Sequence, residues 1–299
     1  MGLDLETVRI FLEVAERASF TRAGAQLALS KSRVSLRVRE LERELGVALL
    51  QRSTRVVRLT ADGEQFIPRA RRLLADADEV GSMFEARRAA RGQVRVDLPV
   101  RLACNQVIPR LPEFLALHPE LEVLLSTTDQ RVDVLRDGFD CVLRVGVLPD
   151  SRLSARRLGV MPMVNCASPA YLRRHGTPRA LADLDGHAVV HYAINLDGNA
   201  PSFEYRDGER YVERPMRSLV TVNNSDAYTA ACVAGLGIIQ APRLGLASYL
   251  GAGVLVEILP EHTCAPMPVT ILHAYGRSVP RRVRLFISWL AELVAPHLD

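Results

Sequence analysis

The stretch KSRVSLR, residues 31–37, places three cations and two hydroxyl groups within seven positions. Lys31 is the only lysine in a chain that also has 37 arginines. A guanidinium group can form two parallel hydrogen bonds with guanine, and a serine hydroxyl adapts to several base edges. This combination suits recognition of a nucleic acid, provided that these side chains point away from the protein core.

The apolar residues around this stretch recur with the period of an α-helix. Ser30 is a residue type that begins helices, and Gly46 is one that ends them. Between the two, four apolar residues lie on one stripe of the predicted helix: Val34, Val38, Leu41 and Leu45. The opposite face then carries hydroxyls and cations, with one apolar residue, Leu36, in their midst.

The charge of the chain is concentrated in its first third. The net charge of the 299 residues is +4. Residues 1–91 hold 17 basic and 13 acidic residues, whereas residues 92–299 hold 21 of each. A basic module beside a neutral remainder suits a polyanionic partner of that module alone. An ordinary solvated surface is the alternative that charge by itself leaves open.

Two further helices are predicted before this one, at about residues 4–17 and 21–27. Small residues in the second helix permit close approach, and only the stub ALS separates it from the third. Two short helices joined by a tight turn are typical of a helix-turn-helix. Alternating β-branched residues and arginines in residues 47–60 then predict a small hairpin, or wing.

A long helix is predicted over residues 61–91, bent near Pro68. Its apolar seam extends for roughly 45 Å at the helical rise of about 1.5 Å per residue. Such a seam is expected to pair with a second copy of the chain and to form a dimer. Packing of the helix against its own domain is the alternative.

Residues 19–74, from SFTRAG to ARRLL, resemble the N-terminal third of LysR-type transcriptional regulators. The resemblance includes the LSxSxVSxxxRxLE core and the LxxRxxRxVxLTxxG wing with their spacing intact. It implies a winged helix-turn-helix, a linker helix that forms a dimer, and a C-terminal effector domain.

The candidate DNA-binding residues divide into two groups. Contacts with phosphates or with the minor groove are expected from Arg22, Arg52, Arg55 and Arg58. Contacts with base edges and nearby phosphates are expected from Lys31, Ser32, Arg33, Ser35 and Arg37. Leu36 departs from the family, whose members usually have a basic or polar residue there. It is either a contact with a thymine methyl group or a neutral surface leucine.

From Gln93 onward, short apolar strands alternate with helices, a pattern typical of an open α/β sheet with parallel strands. Strands are predicted at QVRVDLPV, LEVLLSTTD and DCVLRVGVL, with a helix in residues 104–119 and a short helix in residues 131–138. Later segments include a hairpin across YRDGERY and a final amphipathic helix that contains Trp289.

The order of these segments is similar to the two-lobed effector domain of the same family, which is like the periplasmic binding proteins. The expected fold is therefore an all-α winged helix-turn-helix domain followed by a two-lobed α/β domain. The domain boundaries that follow are 1–60 for DNA binding, 61–91 for the linker helix and 92–299 for effector binding. Within the last, lobe I comprises residues 92–162 and 267–299, and lobe II comprises residues 163–266.

Ligands of open α/β sheets bind at the carboxyl ends of the strands, so the loops at those ends supply the candidate effector-binding residues. They are Pro99, Val100, Arg101, Thr127, Thr128, Arg144, Gly146, His191, Asn224, Ser225 and Asp226. Relatives often have a small hydroxyl residue near the first loop, where this chain has Val100 and Arg101. Arg101 or Arg144 is either a bidentate partner of a ligand carboxylate or a surface or lobe-bridging residue. An organic acid is one candidate effector.

Catalytic and metal-binding motifs are missing from the sequence. It contains no GxSxG elbow, P-loop, HExxH or complete GxGxxG. His187 and His191 share one face of a predicted strand without a third ligand, so we expect neither a metal nor a cofactor. Cys232 and Cys264 form either a redox pair or, as we favour, inert buried thiols.

Two classes of function remain. The first is a cytoplasmic, effector-responsive regulator of transcription that acts as a homodimer or homotetramer and, if it is an activator, contacts RNA polymerase. The second is a small-molecule-binding protein or an enzyme on the two-lobed fold. The helix-turn-helix, the absence of a secretory signal or membrane span in the sequence and the missing catalytic cluster favour the first.

Overall fold

The computed structural model describes residues 3–52, 57–82, 90–149, 153–196, 200–276 and 278–299. The chain divides into two compact units. The N-terminal unit comprises Met1–Gly92 with Asp133–Phe139, and the C-terminal unit comprises Gln93–Val132 with Asp140–Asp299.

The N-terminal unit has the predicted order of three helices followed by a wing and a long fourth helix. Its helices are α1 (Leu5–Arg17), α2 (Phe20–Gln26), α3 (Lys31–Leu45) and α4 (Ala61–Ser82). The wing consists of the antiparallel strands β1 (Leu50–Arg52) and β2 (Val57–Leu59).

Short polar side chains begin each of the first three helices. Asp4, Ser19 and Ser30 accept a hydrogen bond from a backbone N–H in the first turn of α1, α2 and α3, respectively. Each bond satisfies an amide that has no partner within the helix. Gly46 ends α3 in the left-handed conformation, with φ of 71°. The start and end of α3 therefore agree with the sequence prediction.

The core of the N-terminal unit forms around the apolar stripe of α3. Val34, Val38 and Leu41 are completely buried, as are Val8, Phe11 and Val14 of α1. The ring of Phe11 also packs against that of Phe66 in α4, with 5.5 Å between the ring centroids. Burial of the stripe against α1 fixes the rotation of α3 about its own axis.

The turn between α2 and α3 depends on Gly24. The backbone N–H of Leu29 donates to the carbonyl oxygen of Gly24 at 2.8 Å. A Cβ atom at Gly24 would lie 2.6 Å from the carbonyl oxygen of Leu29, which is too close for any side chain. Ala28 completes the turn with a φ of 53°. The prediction that small residues allow close approach here is confirmed at Gly24.

The linker helix uses its apolar seam in two ways. Four residues of its first half pack against the core of the N-terminal unit: Phe66, Ile67, Ala70 and Leu74. By contrast, Leu73 is 40% exposed and Val80 is 63% exposed. The apolar seam near the start of the helix therefore packs against the helix's own domain. Residues 83–89 of the predicted helix lie outside the described residues.

The C-terminal unit contains a five-stranded sheet, here called sheet A, with the strand order β4-β3-β5-β14-β6. Its strands are β3 (Gly92–Leu98), β4 (Leu121–Thr127), β5 (Cys141–Val145), β6 (Ser154–Met161) and β14 (Met267–His273). Strands β3 and β5 are parallel, whereas β14 is antiparallel to both β5 and β6. The sheet is therefore mixed, and the expectation of parallel strands holds only for part of it.

One helical segment connects β3 with β4. It consists of α5 (Val100–Leu102), a π-helical turn (Ala103–Val107) and α6 (Ile108–Leu117). Phe114 of α6 packs against Phe286 and Trp289 of the final helix, α10 (Arg281–Val294), with ring centroids 5.5 Å and 5.0 Å apart. The segment begins four residues before the predicted start of the helix.

The middle of the C-terminal unit forms a second group of strands. A three-stranded antiparallel sheet, here called sheet B, has the order β12-β7-β13, with β7 (Met163–Ala167), β12 (Ile239–Pro242) and β13 (Val256–Glu257). Beside it, β8 (Ala188–Tyr192) pairs in parallel with β11 (Arg217–Val222). The predicted hairpin is present as β9 (Ser202–Asp207) and β10 (Arg210–Pro215). The helices are α7 (Pro169–His175), α8 (Ser225–Val233) and α9 (Arg243–Gly251), and buried residues of α8 and α9 share a core with sheet B.

Four elements of this unit differ from the sequence prediction. The short helix predicted in residues 131–138 is a pair of turns, in which Asp137 and Phe139 donate to the carbonyl oxygens of Asp133 and Val134. Strands β6 and β11 and helix α9 were not predicted. In the sequences of β6 and β11, apolar and polar residues do not alternate regularly. No helix within the described ranges is long and apolar enough to cross a membrane.

Two leucines of α3 provide a matched test of this packing. We expect Leu41→Ala to reduce the free energy of unfolding by about 2–5 kcal/mol, because it leaves a cavity in the core. Leu36→Ala should change that free energy by less than about 0.5 kcal/mol, since Leu36 is 54% exposed. Guanidinium unfolding followed by circular dichroism measures both changes. Similar losses in the two variants would contradict the assigned rotation of α3.

Candidate functional site

Helix α3 presents a polar and cationic face to solvent. Lys31, Ser32, Arg33 and Leu36 are exposed, and Arg39 and Arg43 continue this face towards the end of the helix. The face lies opposite the buried stripe, so the same periodicity that builds the core directs the cations outward.

Two predicted contact residues lie at the side of this face. Ser35 and Arg37 are half-buried. The guanidinium of Arg37 forms an ion pair with the carboxylate of Glu40, with 3.3 Å between Nη1 and Oε2. The guanidinium of Arg33 has no such acidic partner among the contacts of the described residues. Arg33 is therefore freer than Arg37 to meet a base or a phosphate.

The remaining predicted DNA contacts are near the two ends of this face. Arg22 is exposed in α2, and its guanidinium donates to the carbonyl oxygen of Arg17. Arg58 is exposed on β2, where its backbone pairs with Gln51. Arg52 ends β1, but its side chain lies outside the described residues, as does all of Arg55.

Glu42 connects the recognition helix to the wing. Its carboxylate oxygen Oε1 accepts hydrogen bonds from the backbone N–H groups of Leu49 and Leu50, both at 3.0 Å. Thr60 holds the other end of the wing, since its hydroxyl donates to the carbonyl oxygen of Ala48 at 2.6 Å. The sequence analysis did not identify Glu42, whose two bonds are with residues seven and eight positions later in the chain.

In the C-terminal unit, two of the predicted effector-binding residues, Val100 and Ser225, contact a carboxylate that was not predicted. Asp129 follows β4. Its Oδ1 accepts from the backbone N–H of Val100 at 3.2 Å, and its Oδ2 accepts from the backbone N–H of Ser225 at 2.6 Å. Val100 begins the helical segment after β3 of sheet A, and Ser225 begins α8, which packs on sheet B. One side chain thus joins the two sides of the unit.

Arg101 joins the same two sides. Its Nε and Nη2 donate to the carbonyl oxygen of Gly245 in α9, at 3.0 Å and 2.8 Å. Its Nη1 forms an ion pair with Asp226 of α8 at 2.9 Å, and its guanidinium lies 5.0 Å from the ring centroid of Tyr249. These contacts connect the segment after β3 to α8 and α9, as the bridging interpretation of Arg101 requires.

Arg144 lies on β5 of sheet A and is buried. Its guanidinium forms an ion pair with Asp97, whose side chain is completely buried, and it donates to the carbonyl oxygen of Leu143 at 2.9 Å. A buried guanidinium needs such a partner, because an unpaired charge in the interior is costly. The guanidinium is therefore already committed to Asp97.

The other predicted residues differ in how closely they approach Asp129. Thr128 precedes it, and its hydroxyl accepts from the backbone N–H of Gln130 at 3.1 Å. Asn224 caps α8 by accepting from the backbone N–H of Ala227 at 2.8 Å. Pro99 precedes Val100, and Thr127 is exposed at the end of β4. Gly146 donates its N–H to the carbonyl oxygen of Pro268, and His191 pairs with Thr221; among the described residues, neither forms a hydrogen bond with this group.

Tyr192 lies next to the Asp129 carboxylate. Burial and, secondarily, the negative charge of Asp129 raise the pKa of Tyr192 to about 12. Its ring packs edge-on against that of Tyr228, with centroids 5.4 Å apart. Burial also raises the pKa of Tyr228, whose hydroxyl oxygen accepts from the backbone N–H of Gln240 at 3.1 Å. These phenols stay protonated at neutral pH and form an aromatic wall that the sequence analysis missed.

The cysteines of the C-terminal unit have the properties of buried thiols. Cys232 donates to the carbonyl oxygen of Cys166 at 3.6 Å. Burial raises the pKa of Cys166, Cys232 and Cys264 to about 12 and raises that of Cys141 as well. Only Cys104 is exposed. Within the described ranges, no three His, Cys, Asp or Glu side chains are grouped so as to hold a metal ion.

Two family models match separate parts of the chain. Residues 5–64 match the model of the bacterial regulatory helix-turn-helix protein, lysR family, and residues 87–295 match the model of the LysR substrate binding domain.

Individual relatives are similar over nearly the whole chain. The uncharacterized HTH-type transcriptional regulator YhjC of Escherichia coli (strain K12) is 41% identical over 296 residues, 99% of each chain. The HTH-type transcriptional activator AaeR of the same organism is 34% identical over 96% of this chain and 93% of its own. Among solved structures, CrgA, a LysR-type transcriptional regulator from Neisseria meningitidis, superposes with a TM-score of 0.61 and 28% identity, covering 97% of this chain and 99% of that one.

The thiols offer a direct test of this unit. At neutral pH we expect iodoacetamide to label Cys104 quickly and the four buried cysteines only after unfolding, since a raised pKa keeps a thiol protonated and burial blocks access. Peptide mass spectrometry measures the labelling of each residue. Cys104→Ser should abolish the fast reaction, and fast labelling of Cys232 or Cys264 would revive the redox interpretation.

Proposed function

The chain belongs to the LysR family of transcriptional regulators, and on this premise we propose that it binds specific promoter DNA under the control of a small-molecule effector. The effector is proposed to bind between two lobes of residues 92–299. Lobe I comprises residues 92–162 and 267–299, which include sheet A, and lobe II comprises residues 163–266, which include sheet B. The DNA-binding domain is proposed to span residues 1–60 and the linker helix residues 61–91.

The observation that carries the DNA-binding part is the exposed face of α3. A helix held by a buried stripe, with cations and hydroxyls on its outer face, has the shape and chemistry of a helix that enters the major groove. Lys31, Ser32 and Arg33 stand at its N-terminal end, where recognition helices meet base edges. Arg22 and Arg58 are proposed to contact phosphates and thereby to set the position of the helix on the DNA.

Two copies of the chain are proposed to act together. Leu73 and Val80 of the linker helix are exposed, and apolar residues on a long helix favour pairing with another helix. A two-fold dimer would place two α3 helices on successive turns of a palindromic site. A homodimer or a homotetramer built from such dimers fits this arrangement.

The effector part rests on the contacts between the two sides of the C-terminal unit. Asp129 and Arg101 each connect the helical segment after β3 with α8 or α9. A ligand that enters between these elements alters the same contacts and so changes the angle between the lobes. We propose an organic acid as the effector class. The protein then acts in the cytoplasm, beside its DNA, and contacts RNA polymerase if it is an activator.

The test of DNA binding compares two arginines. We expect Arg33→Ala to weaken binding to the promoter fragment by about tenfold or more, because an arginine–base pair contributes about 1–3 kcal/mol. Arg110→Ala, which removes an exposed guanidinium paired with Glu113 on α6, should leave the affinity unchanged. Fluorescence anisotropy on DNA upstream of the protein's own gene, measured across a salt series, gives both affinities and their salt slopes.

Two outcomes would count against the proposal. Equal losses in Arg33→Ala and Arg110→Ala would mean that binding reflects overall charge and not α3. The absence of any binding to these fragments, even at low salt, would favour a small-molecule-binding protein without a DNA partner.

A further inference from the structure

The carboxylate of Asp129 accepts hydrogen bonds from both sides of the C-terminal unit. Its two oxygens are divided between two backbone amides that are 125 positions apart in the chain, those of Val100 and Ser225. Carboxylates that receive backbone N–H groups at helix starts form charge-assisted hydrogen bonds. The carboxylate therefore satisfies one amide on each side of the cleft at the same time.

Neither amide has another acceptor that could replace Asp129. Pro99, which precedes Val100, gives no side-chain cap to the helix start. At α8, the cap residue Asn224 accepts from Ala227 and not from Ser225. If Asp129 moved away, both N–H groups would turn to water or to another anion.

The guanidinium groups near the cleft are already engaged by the protein. Arg101 binds Asp226 and the carbonyl oxygen of Gly245, and Arg144 binds Asp97. The two amides are likewise held by Asp129, so an incoming carboxylate gains a donor here only by displacing an acceptor that the protein already provides.

Ser225 supplies an independent observation at the same place. Its hydroxyl oxygen is buried and has no hydrogen-bond partner among the described residues. A buried hydroxyl without a partner is unusual in a folded protein. It lies on the residue whose amide already binds Asp129, so it could serve a second oxygen of a ligand.

We propose that Asp129 is an internal carboxylate that latches the two lobes together, and that an anionic effector acts by displacing it from the amides of Val100 and Ser225. The proposal rests on the effector cleft proposed above and adds how the cleft is controlled. Asp129 thereby determines which ligands act as effectors. Only a ligand with a carboxylate or a similar anion accepts the two N–H hydrogen bonds that Asp129 otherwise accepts. Arg101 keeps a second connection between the lobes while the exchange takes place.

Chemical rescue of Asp129→Ala tests the latch in the full-length protein. The substitution removes the carboxylate and leaves a space of about its size. We expect a lower thermal unfolding midpoint, which sodium acetate raises back towards the wild-type value by binding the vacated amides. Sodium chloride at equal ionic strength should give no such recovery, and acetate should affect the wild-type protein far less.

Asp183→Ala is the matched control. The carboxylate of Asp183 also accepts two backbone N–H groups, from Arg179 and Ala180 at 2.8 Å and 3.0 Å, but both belong to one exposed segment. Its loss should lower the midpoint without rescue by acetate. Equal effects of acetate on wild type, Asp183→Ala and Asp129→Ala would overturn the proposal, as would an Asp129→Ala protein with an unchanged midpoint.

A second variant covers the case in which Asp129→Ala does not fold. Asp129→Asn retains the size of the side chain but loses the charge and presents only one acceptor oxygen. Hydrogen–deuterium exchange should then accelerate by about tenfold at the starts of α5 and α8, with peptides from α3 unchanged. Unchanged exchange at both helix starts would overturn the latch. Anisotropy on promoter DNA is recorded separately, so a failed latch and a failed DNA-binding proposal remain distinguishable.

Discussion

Burial of the apolar stripe of α3 against α1 is the constraint on which the DNA-binding unit depends. Val34, Val38 and Leu41 have no exposed surface, so the helix has a single rotation in which they all meet Val8, Phe11 and Val14. Lys31, Ser32 and Arg33 face solvent because that rotation leaves them no other direction. The wing follows from the same helix, since Glu42 of α3 accepts hydrogen bonds from Leu49 and Leu50, where β1 begins.

The C-terminal unit depends on contacts of a different kind. Sheets A and B each have their own apolar neighbours, and polar groups connect the two sides through Asp129 and Arg101. Polar contacts of this type are directional and can be exchanged for contacts with a ligand, whereas a packed apolar interface cannot be opened so easily. This difference is what the proposed response of the domain to a small molecule requires.

Local signals in the sequence were sufficient for the N-terminal unit and insufficient for the cleft. The stripe of α3, its cap at Ser30 and its end at Gly46 all depend on residues close together in the chain, and each was predicted correctly. Asp129, in contrast, acquires its role from Ser225, 96 positions away. The pairing of Arg144 with Asp97, 47 positions earlier, likewise has no local signature, so the sequence left its role open. Strand β6 was missed because its arginines hide the alternation that marks a strand.

Cleavage of promoter DNA by a reagent attached to α3 tests the central claim most directly. A copper–phenanthroline group would be attached to Leu36→Cys in a Cys104→Ser background, with exposed Leu117→Cys of α6 as the control. The present account predicts cuts from Leu36→Cys at two places separated by about ten base pairs or a multiple of that, and no such pair from Leu117→Cys. Identical cutting by both conjugates, or no cutting by the Leu36→Cys conjugate on DNA that it still binds, would contradict the assignment of α3 as the recognition helix.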